Sequence, residues 1–312
     1  MNSIVLADTK LMTHQQWLDE RKKGIGGSDA GTILGVNKYK NPVALWLEKT
    51  GQAEPEPVGE PAEWGNILEP VIANRFELLT GIKIQTCDAL LQHPQFSFML
   101  ANVDRLIAGE RRGLECKNVS LRKAQEWDDD EIPDTYYAQC QHYMAVTGYE
   151  GWYIAALING NHFIHKYIPR NDEFILALID AEQKFWHCCQ NKVMPDCELN
   201  ADVLKMLYPT TNGVSAVLPD DIAGLVEKYE GAKTVSKDAD KRVERIQVAI
   251  CAWLGEKERA KSQDGQKEVV WSQVNPKPKF NEKKFAEDHP KLFESYLEPA
   301  KPYRKFSVKI KE

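Results

Sequence analysis

The chain has 312 residues, 43% hydrophobic and 28% charged, and carries a formal net charge of −6. Such a length suits one large domain or two small ones, and the balance is that of a soluble globular protein. No apolar run approaches the roughly 20 residues that span a bilayer, which argues against a membrane-spanning helix. Residues 1–16 lack the basic-then-apolar layout of a signal peptide. The seven cysteines are odd in number and scattered, which suits reduced thiols better than a disulfide framework. The expectation is a cytoplasmic protein with no membrane partner. An acidic total does not exclude DNA, because backbone affinity comes from local clusters of Lys and Arg.

In chain order, residues 13–23 read as a short helix entered at Thr13, with Trp17 and Leu18 as apolar anchors, ending at Gly24-Ile25-Gly26-Gly27. Ser28-Asp29 opens a second helix through Leu34, Pro42 opens a third through Lys49, and residues 51–61 form a Pro/Glu-rich loop. A longer helix over 62–80 has Ile67, Leu68, Val71, Ile72, Phe76 and Leu79 at helical spacing and is closed by Gly81. Strands are predicted over 82–86, 98–107 and 113–119, a helix over 134–146, strands over 151–158 and 162–168, and a helix over 172–189. This order predicts an α/β (α+β) fold with a mixed central sheet flanked by helices. The domain expectation is a core over 1–210 and an appendage over 211–312. In the appendage, 218–261 reads as two charged helices forming an antiparallel arm, followed by possible strands at 269–274 and 304–310.

The chemistry concentrates in Asn102-Val103-Asp104-Arg105 and Glu115-Cys116-Lys117. Side chains alternate along a strand, so Glu115 and Lys117 share a face, and a hairpin through residues 108–112 brings Asp104 to Glu115. Two carboxylates suit a hard divalent cation such as Mg²⁺, which keeps waters and leaves room for phosphate. A lysine beside them orients or deprotonates the attacking water, or offsets charge in the transition state. The pattern is short, and a surface salt bridge between Glu115 and Lys117 would produce it equally.

Three further features change that weighting. Glu69, mid-helix before Pro70, is a possible third metal ligand, and Tyr136 and Gln139 share a helix face at i and i+3. Arg21 and Ser28 bracket a glycine-rich turn opening a helix, a setting suited to a terminal phosphate.

The ordered set Arg21-x-x-Gly24-Ile25-Gly26-Gly27-Ser28-Asp29, Glu69-Pro70, Asp104, Glu115-x-Lys117 and Tyr136-x-x-Gln139-x-Gln141 resembles the YqaJ-type viral recombinase family. That family includes lambda-type exonucleases of the PD-(D/E)XK nuclease superfamily, and the resemblance covers residues 13–190. It implies a restriction-endonuclease-like core and a Mg²⁺-dependent 5′→3′ exonuclease. Such an enzyme degrades one strand of linear duplex DNA and leaves a 3′ overhang for phage-type recombination by strand annealing. It further implies two Mg²⁺ ions (with Mn²⁺ able to substitute), a ring-shaped homotrimer, a 5′-phosphate end as substrate and a single-strand annealing protein as partner. Asp104 and Glu115 then match metal ligands together with the Cys116 backbone carbonyl, and Glu69 matches the helix acid. Lys117 matches the base or cation, Gln139 and Tyr136 the polar helix motif, and Arg21 and Ser28 the 5′-phosphate pocket. Arg122 or Lys123 would add a cation to that pocket. Val103 stands where the superfamily name has proline. An endonuclease with the same centre and a non-catalytic DNA-binding fold are the alternatives. The cysteines after the core do not make an iron–sulfur reading, since Cys188 and Cys189 are adjacent and none precedes Glu69. The acidic run from Asp128 to Glu131 reads as a solvated loop.

Overall fold

The structure, a computed structural model, describes residues 3–53, 59–127, 131–211, 213–298 and 304–308. The chain divides into two compact units, Met1–Leu207 and Tyr208–Glu312. Among the described residues no helix is long and apolar enough to cross a membrane. The acidic positions 128–130 lie outside the described residues.

The first unit opens with β1 (Ile4–Asp8), α1 (His14–Lys22), β2 (Ile25–Gly26), α2 (Gly27–Ile33) and α3 (Pro42–Lys49). The start of α1 is a capping box, in which Thr13 Oγ1 accepts from the Gln16 N–H and the Gln16 side chain accepts from the Thr13 N–H. Next come α4 (Glu60–Thr80), β3 (Ile84–Thr86), β4 (Ala89–Gln92), β5 (Met99–Ala101), β6 (Arg105–Ile107) and β7 (Arg112–Val119). The unit closes with α5 (Asp134–Thr147), β8 (Gly151–Ile158), β9 (His162–Pro169), α6 (Asp172–Asn191) and α7 (Ala201–Leu207).

Five strands form a mixed sheet in the order β3-β6-β7-β8-β9, in which β7 and β8 run parallel and the other pairs antiparallel. Alternation along β8 sorts its two faces. Trp152, Ile154, Ala156 and Ile158 pack with Tyr143 and Met144 of α5, while Ala155, Tyr153 and Leu157 pack with Ile72 and Phe76 of α4. The sheet is thus a layer between two helices, as the predicted fold class requires. α6 is fastened to this layer by a fully buried pair, His142 Nδ1 and Glu182 Oε1 at 2.7 Å. The other ring nitrogen, Nε2, faces the Leu100 carbonyl at 2.9 Å and so carries a proton.

The stretch predicted as one strand over 98–107 is two strands in two sheets. β5 joins a second sheet of order β1-β4-β5-β2, whereas β6 joins the five-stranded one. Residues 102–104 lie between them, where the chain leaves one ladder before entering the next. β1, β4 and α7 are elements that the periodicity did not mark. On α4, Ile72 and Phe76 are buried as expected, but Ile67, Val71 and Leu79 are more than half exposed. The buried stripe runs instead through Ile72, Ala73 and Phe76, with Leu68 partly covered.

In the second unit the expected helical pair is one continuous helix, α8 (Asp220–Leu254). No proline lies between Pro219 and Pro276 to break it, and Gly224 and Gly231 lower its propensity without ending it. It stops at Gly255, whose φ is +57°. A small hairpin follows, β10 (Arg259–Lys261) with β11 (Glu268–Val270), then α9 (Glu282–Asp288) and α10 (Pro290–Ser295). β11 falls on the strand expected from 269, and residues 304–308 form none.

Candidate active site

The register of β6 and β7 builds the centre. Arg105 lies opposite Leu114 and Leu106 opposite Gly113, which sets Asp104 across from Glu115. Beyond Leu114 the strand β7 has a partner only in β8, so its other edge is open. Asp104 occupies that edge, and its Oδ2 accepts the Cys116 N–H at 2.8 Å. In an extended strand the N–H and C=O of one residue point to the same edge, so the Cys116 carbonyl faces the side where Asp104 sits.

Glu115 and Lys117 share the face of β7 that looks toward α5. Glu115 is buried, and its Oε1 accepts from Lys117 Nζ at 2.5 Å and from Gln139 Nε2 at 2.7 Å. Gln139 Nε2 also donates to the Tyr143 hydroxyl at 2.8 Å. Lys117 Nζ lies 4.8 Å from the centroid of the Tyr136 ring, which packs in turn on Trp127. Tyr136 and Gln139 therefore share a face as their spacing predicts, but both act on neighbouring side chains. Gln139 is buried and grips Glu115, and Tyr136 supports the lysine. Gln141, quoted in the same motif, is fully buried and bonds the Pro169 carbonyl and the Asn171 N–H, so it ties α5 to the β9–α6 junction.

The electrostatics leave this centre short of positive charge. Burial and the adjacent Glu115 carboxylate push Asp104 up to about 7, against the pull of Lys117 and the Cys116 N–H. Burial opposes the charge on Lys117, yet Glu115 and Asp104 outweigh it and raise the ammonium above its ordinary range. Glu115 Oε2 is buried with no hydrogen-bond partner among the described atoms. An orphaned carboxylate oxygen beside a second carboxylate is what a bound cation would satisfy. The described residues hold no cluster of three or more His, Cys, Asp or Glu side chains for a metal. Two carboxylates and a main-chain carbonyl therefore suit an ion that keeps most of its waters, and Mg²⁺ does so.

Glu69 reaches this region from α4, but Arg105 Nη1 holds its Oε1 at 2.5 Å. Burial and the nearby Asp104 raise the Glu69 carboxyl, and Arg105 resists the rise. Its direct partner is thus an arginine to which the sequence reading gave no role.

The glycine-rich turn lies against the same space. Arg21 Nη2 donates to Ser28 Oγ at 2.9 Å, and the guanidinium lies 4.7 Å from the centroid of the Trp17 ring. Trp17 Nε1 donates to Asn102 Oδ1 at 3.2 Å, two residues before Asp104. Two glycines of the run are close approaches as well as turn residues. A Cβ on Gly24 would meet the Phe98 carbonyl oxygen at 2.5 Å, and one on Gly27 would meet the Tyr143 ring at 2.5 Å. Arg21, Ser28, Glu69, Asp104, Glu115 and Gln139 all line one cavity of about 400 Å³. Neither Arg122 nor Lys123 lines it. Lys123 sits on the 3₁₀ segment Leu121–Trp127 with its ammonium 4.0 Å from the Tyr39 ring centroid.

The residues missed from the sequence are Arg105, Asn102 and Tyr143. Tyr143 had a usable signal, lying four residues past Gln139 on the same helix face. The other two adjoin Asp104, and nothing in their types marks them.

The fold and site together define an α/β domain whose paired carboxylates lie beside an Arg–Ser pocket, and the fold has solved counterparts. An alkaline exonuclease (LHK-Exo) from Laribacter hongkongensis superposes with a TM-score of 0.51 at 18% identity, covering 57% of this chain and 94% of that one. The structure of LHK-Exo in complex with dAMP gives a TM-score of 0.50 with the same coverage. At that identity the likeness speaks for the fold. Residues 16–150 match the family model of the YqaJ-like viral recombinase domain, so the resemblance drawn from the motifs is borne out. The YqaJ protein of Bacillus subtilis (strain 168) is 49% identical over 186 residues, which are 59% of this chain and 58% of that protein. The match thus spans a little over half the length of that relative.

Proposed function

We propose that the protein is a Mg²⁺-dependent 5′→3′ exonuclease that degrades one strand of linear double-stranded DNA and leaves a 3′ single-stranded overhang. The observation that carries this reading is the shared cavity, which Asp104 and Glu115 line together with the Arg21–Ser28 pair. Asp104, Glu115 and the Cys116 carbonyl would hold the metal, two ions in all, with Mn²⁺ able to substitute. Bound there, the metal supplies Lewis-acid polarisation of the phosphate and an activated water.

The rest falls to side chains. Lys117, kept charged by Glu115 and seated on Tyr136, offsets the negative charge that builds on the phosphoryl oxygens. That assignment favours the cationic role over the base. Gln139 fixes the Glu115 carboxylate through one oxygen and leaves the other for the ion, so it orients a ligand and does not touch phosphate. Glu69, tethered by Arg105, brings a third carboxylate near Asp104 and is the possible further ligand of the metal. Arg21 and Ser28 hold a terminal 5′-phosphate, which fixes the scissile bond at a set distance from the metal and so gives the direction of digestion. The product overhang would be taken up by a single-strand annealing protein in phage-type recombination, and a homotrimeric ring would retain the DNA between cuts.

Digestion of linear duplex labelled at either the 5′ or the 3′ end, with and without Mg²⁺, tests the proposal. The 5′ label is expected to be released first, only with Mg²⁺, and faster from 5′-phosphoryl than from 5′-hydroxyl ends. Early release of the 3′ label, or cutting of closed circular DNA, would overturn it.

A further inference from the structure

Lys49 is the last residue of α3 and does not line the cavity, yet its ammonium is committed to the turn that forms the Arg21–Ser28 pocket. Its side chain is 7% exposed, and Nζ lies 2.8 Å from Asp29 Oδ2. Nζ also donates to the carbonyls of Arg21 at 3.0 Å and Gly24 at 2.7 Å. All three ammonium donors are used. Asp29 Oδ2 in turn accepts the Gly26 N–H at 3.0 Å, at the start of α2. Asp29 therefore serves the helix start, but it brings a buried negative charge close to Arg21. The point where a Gly26 Cβ would stand is 3.6 Å from Arg21 Nη2 and 3.8 Å from Asp29 Oδ2.

We propose that Lys49 is a positioning residue, the buried counter-charge that neutralises Asp29 and so keeps the Arg21 guanidinium available to an anion. The inference rests on reading Arg21 and Ser28 as the site of a terminal 5′-phosphate. A buried carboxylate without a partner is costly, and the other cation whose charge acts on Asp29 is Arg21. Without Lys49, Asp29 draws Arg21 out of its stack on Trp17 and competes with the phosphate. With Lys49 in place, the net charge of the Asp29–Lys49 pair is zero, and Arg21 contributes its full charge to the cavity. Burial pushes Asp29 up, while Lys49 and then Arg21 hold it down at about 2, so the carboxylate is ionised at any working pH.

The test is the ratio of affinities for 5′-phosphoryl and 5′-hydroxyl blunt duplexes, measured by fluorescence anisotropy in EDTA. Lys49→Gln keeps donors for the two carbonyls but removes the charge. It is expected to lower the phosphate preference by about tenfold or more, the scale of one charge-assisted hydrogen bond. In Lys49→Gln/Asp29→Asn the competing carboxylate is gone, and the preference is expected to return to within about threefold of the unaltered protein. A merely structural lysine would give no such rescue. If Lys49→Gln retains the preference, or the double variant remains as impaired as the single, the counter-charge role is overturned while the phosphate pocket stands. If the unaltered protein shows no preference, the pocket fails and this inference fails with it. Should Lys49→Gln not fold, the double variant decides alone, and loss of preference in the folded double variant overturns the proposal.

Discussion

Lys117 and Glu115 form the kind of pair that the sequence alone could not distinguish from a surface salt bridge. Burial separates the two readings, because a 2.5 Å ion pair beside a second carboxylate, with one oxygen unpartnered, is a poor way to stabilise a fold. On the proposed function, Lys117→Ala is expected to reduce cleavage by about a thousandfold or more. Duplex binding should stay nearly unchanged, as gel shift in EDTA would check; full activity in this variant would sink the mechanism. The second prediction concerns pH. Asp104 titrates at about 7 in the folded chain against an ordinary 3.8, so between those values the folded state binds more protons than the unfolded state. Stability of the metal-free protein is therefore expected to fall as pH rises from about 4 to about 7 and to level off above. On the proposed function Mg²⁺ would compete with that proton, so its increment in Tm should be larger at pH 8 than at pH 5. Equal increments at the two pH values would remove Asp104 from the ligand set.

At the scale of elements, the site depends on where chain segments cross and less on what each segment is. The α1–α2 turn is fixed by close approach: Gly24 sits against the Phe98 carbonyl, and Gly27 against the ring of Tyr143, the residue that also bonds Gln139. Gly27→Ala is expected to destabilise the protein by about 1–3 kcal/mol, seen as a lowered Tm, because the ring must move. It should also weaken Mg²⁺-dependent cleavage, since the same ring supports the partner of Glu115. An unchanged Tm would show that α5 yields freely. The helix spans were legible because caps and glycine stops are local signals, as at Thr13, Gly81 and Gly148. The division of 98–107 between two sheets was not, because a run of extended residues carries no mark of which neighbour it will pair with.

At the scale of the molecule, α4 presents an exposed apolar row, with Trp64, Ile67, Val71 and Leu78 between 48% and 75% accessible. Exposed apolar patches of this kind are commonly covered by another chain. In the homotrimer proposed here, light scattering should give three times the chain mass, and Ile67→Glu/Val71→Glu should lower that mass. A monomeric mass for the unaltered protein would remove the ring. The helix α8 belongs to the second compact unit, and its single 35-residue span replaces the pair of helices that charge and periodicity suggested. Charge patterning along a polar helix does not say where it stops, and here the stop falls at Gly255, at positive φ, and not at Gly224 or Gly231.

By itself the sequence determined the helices from α1 to α6, the layered α/β class and the order of the motif residues, because each is written in local periodicity or residue type. Asp104, Glu115 and Lys117 were visible as a set, since strand alternation and a hairpin suffice to bring them together. Only the tertiary structure decided that Gln139 grips Glu115, that Arg105 engages Glu69, that Lys123 turns to Tyr39, and that Lys49 answers Asp29. Those pairings join residues far apart in the chain, and their energetics depend on burial, which no single segment specifies.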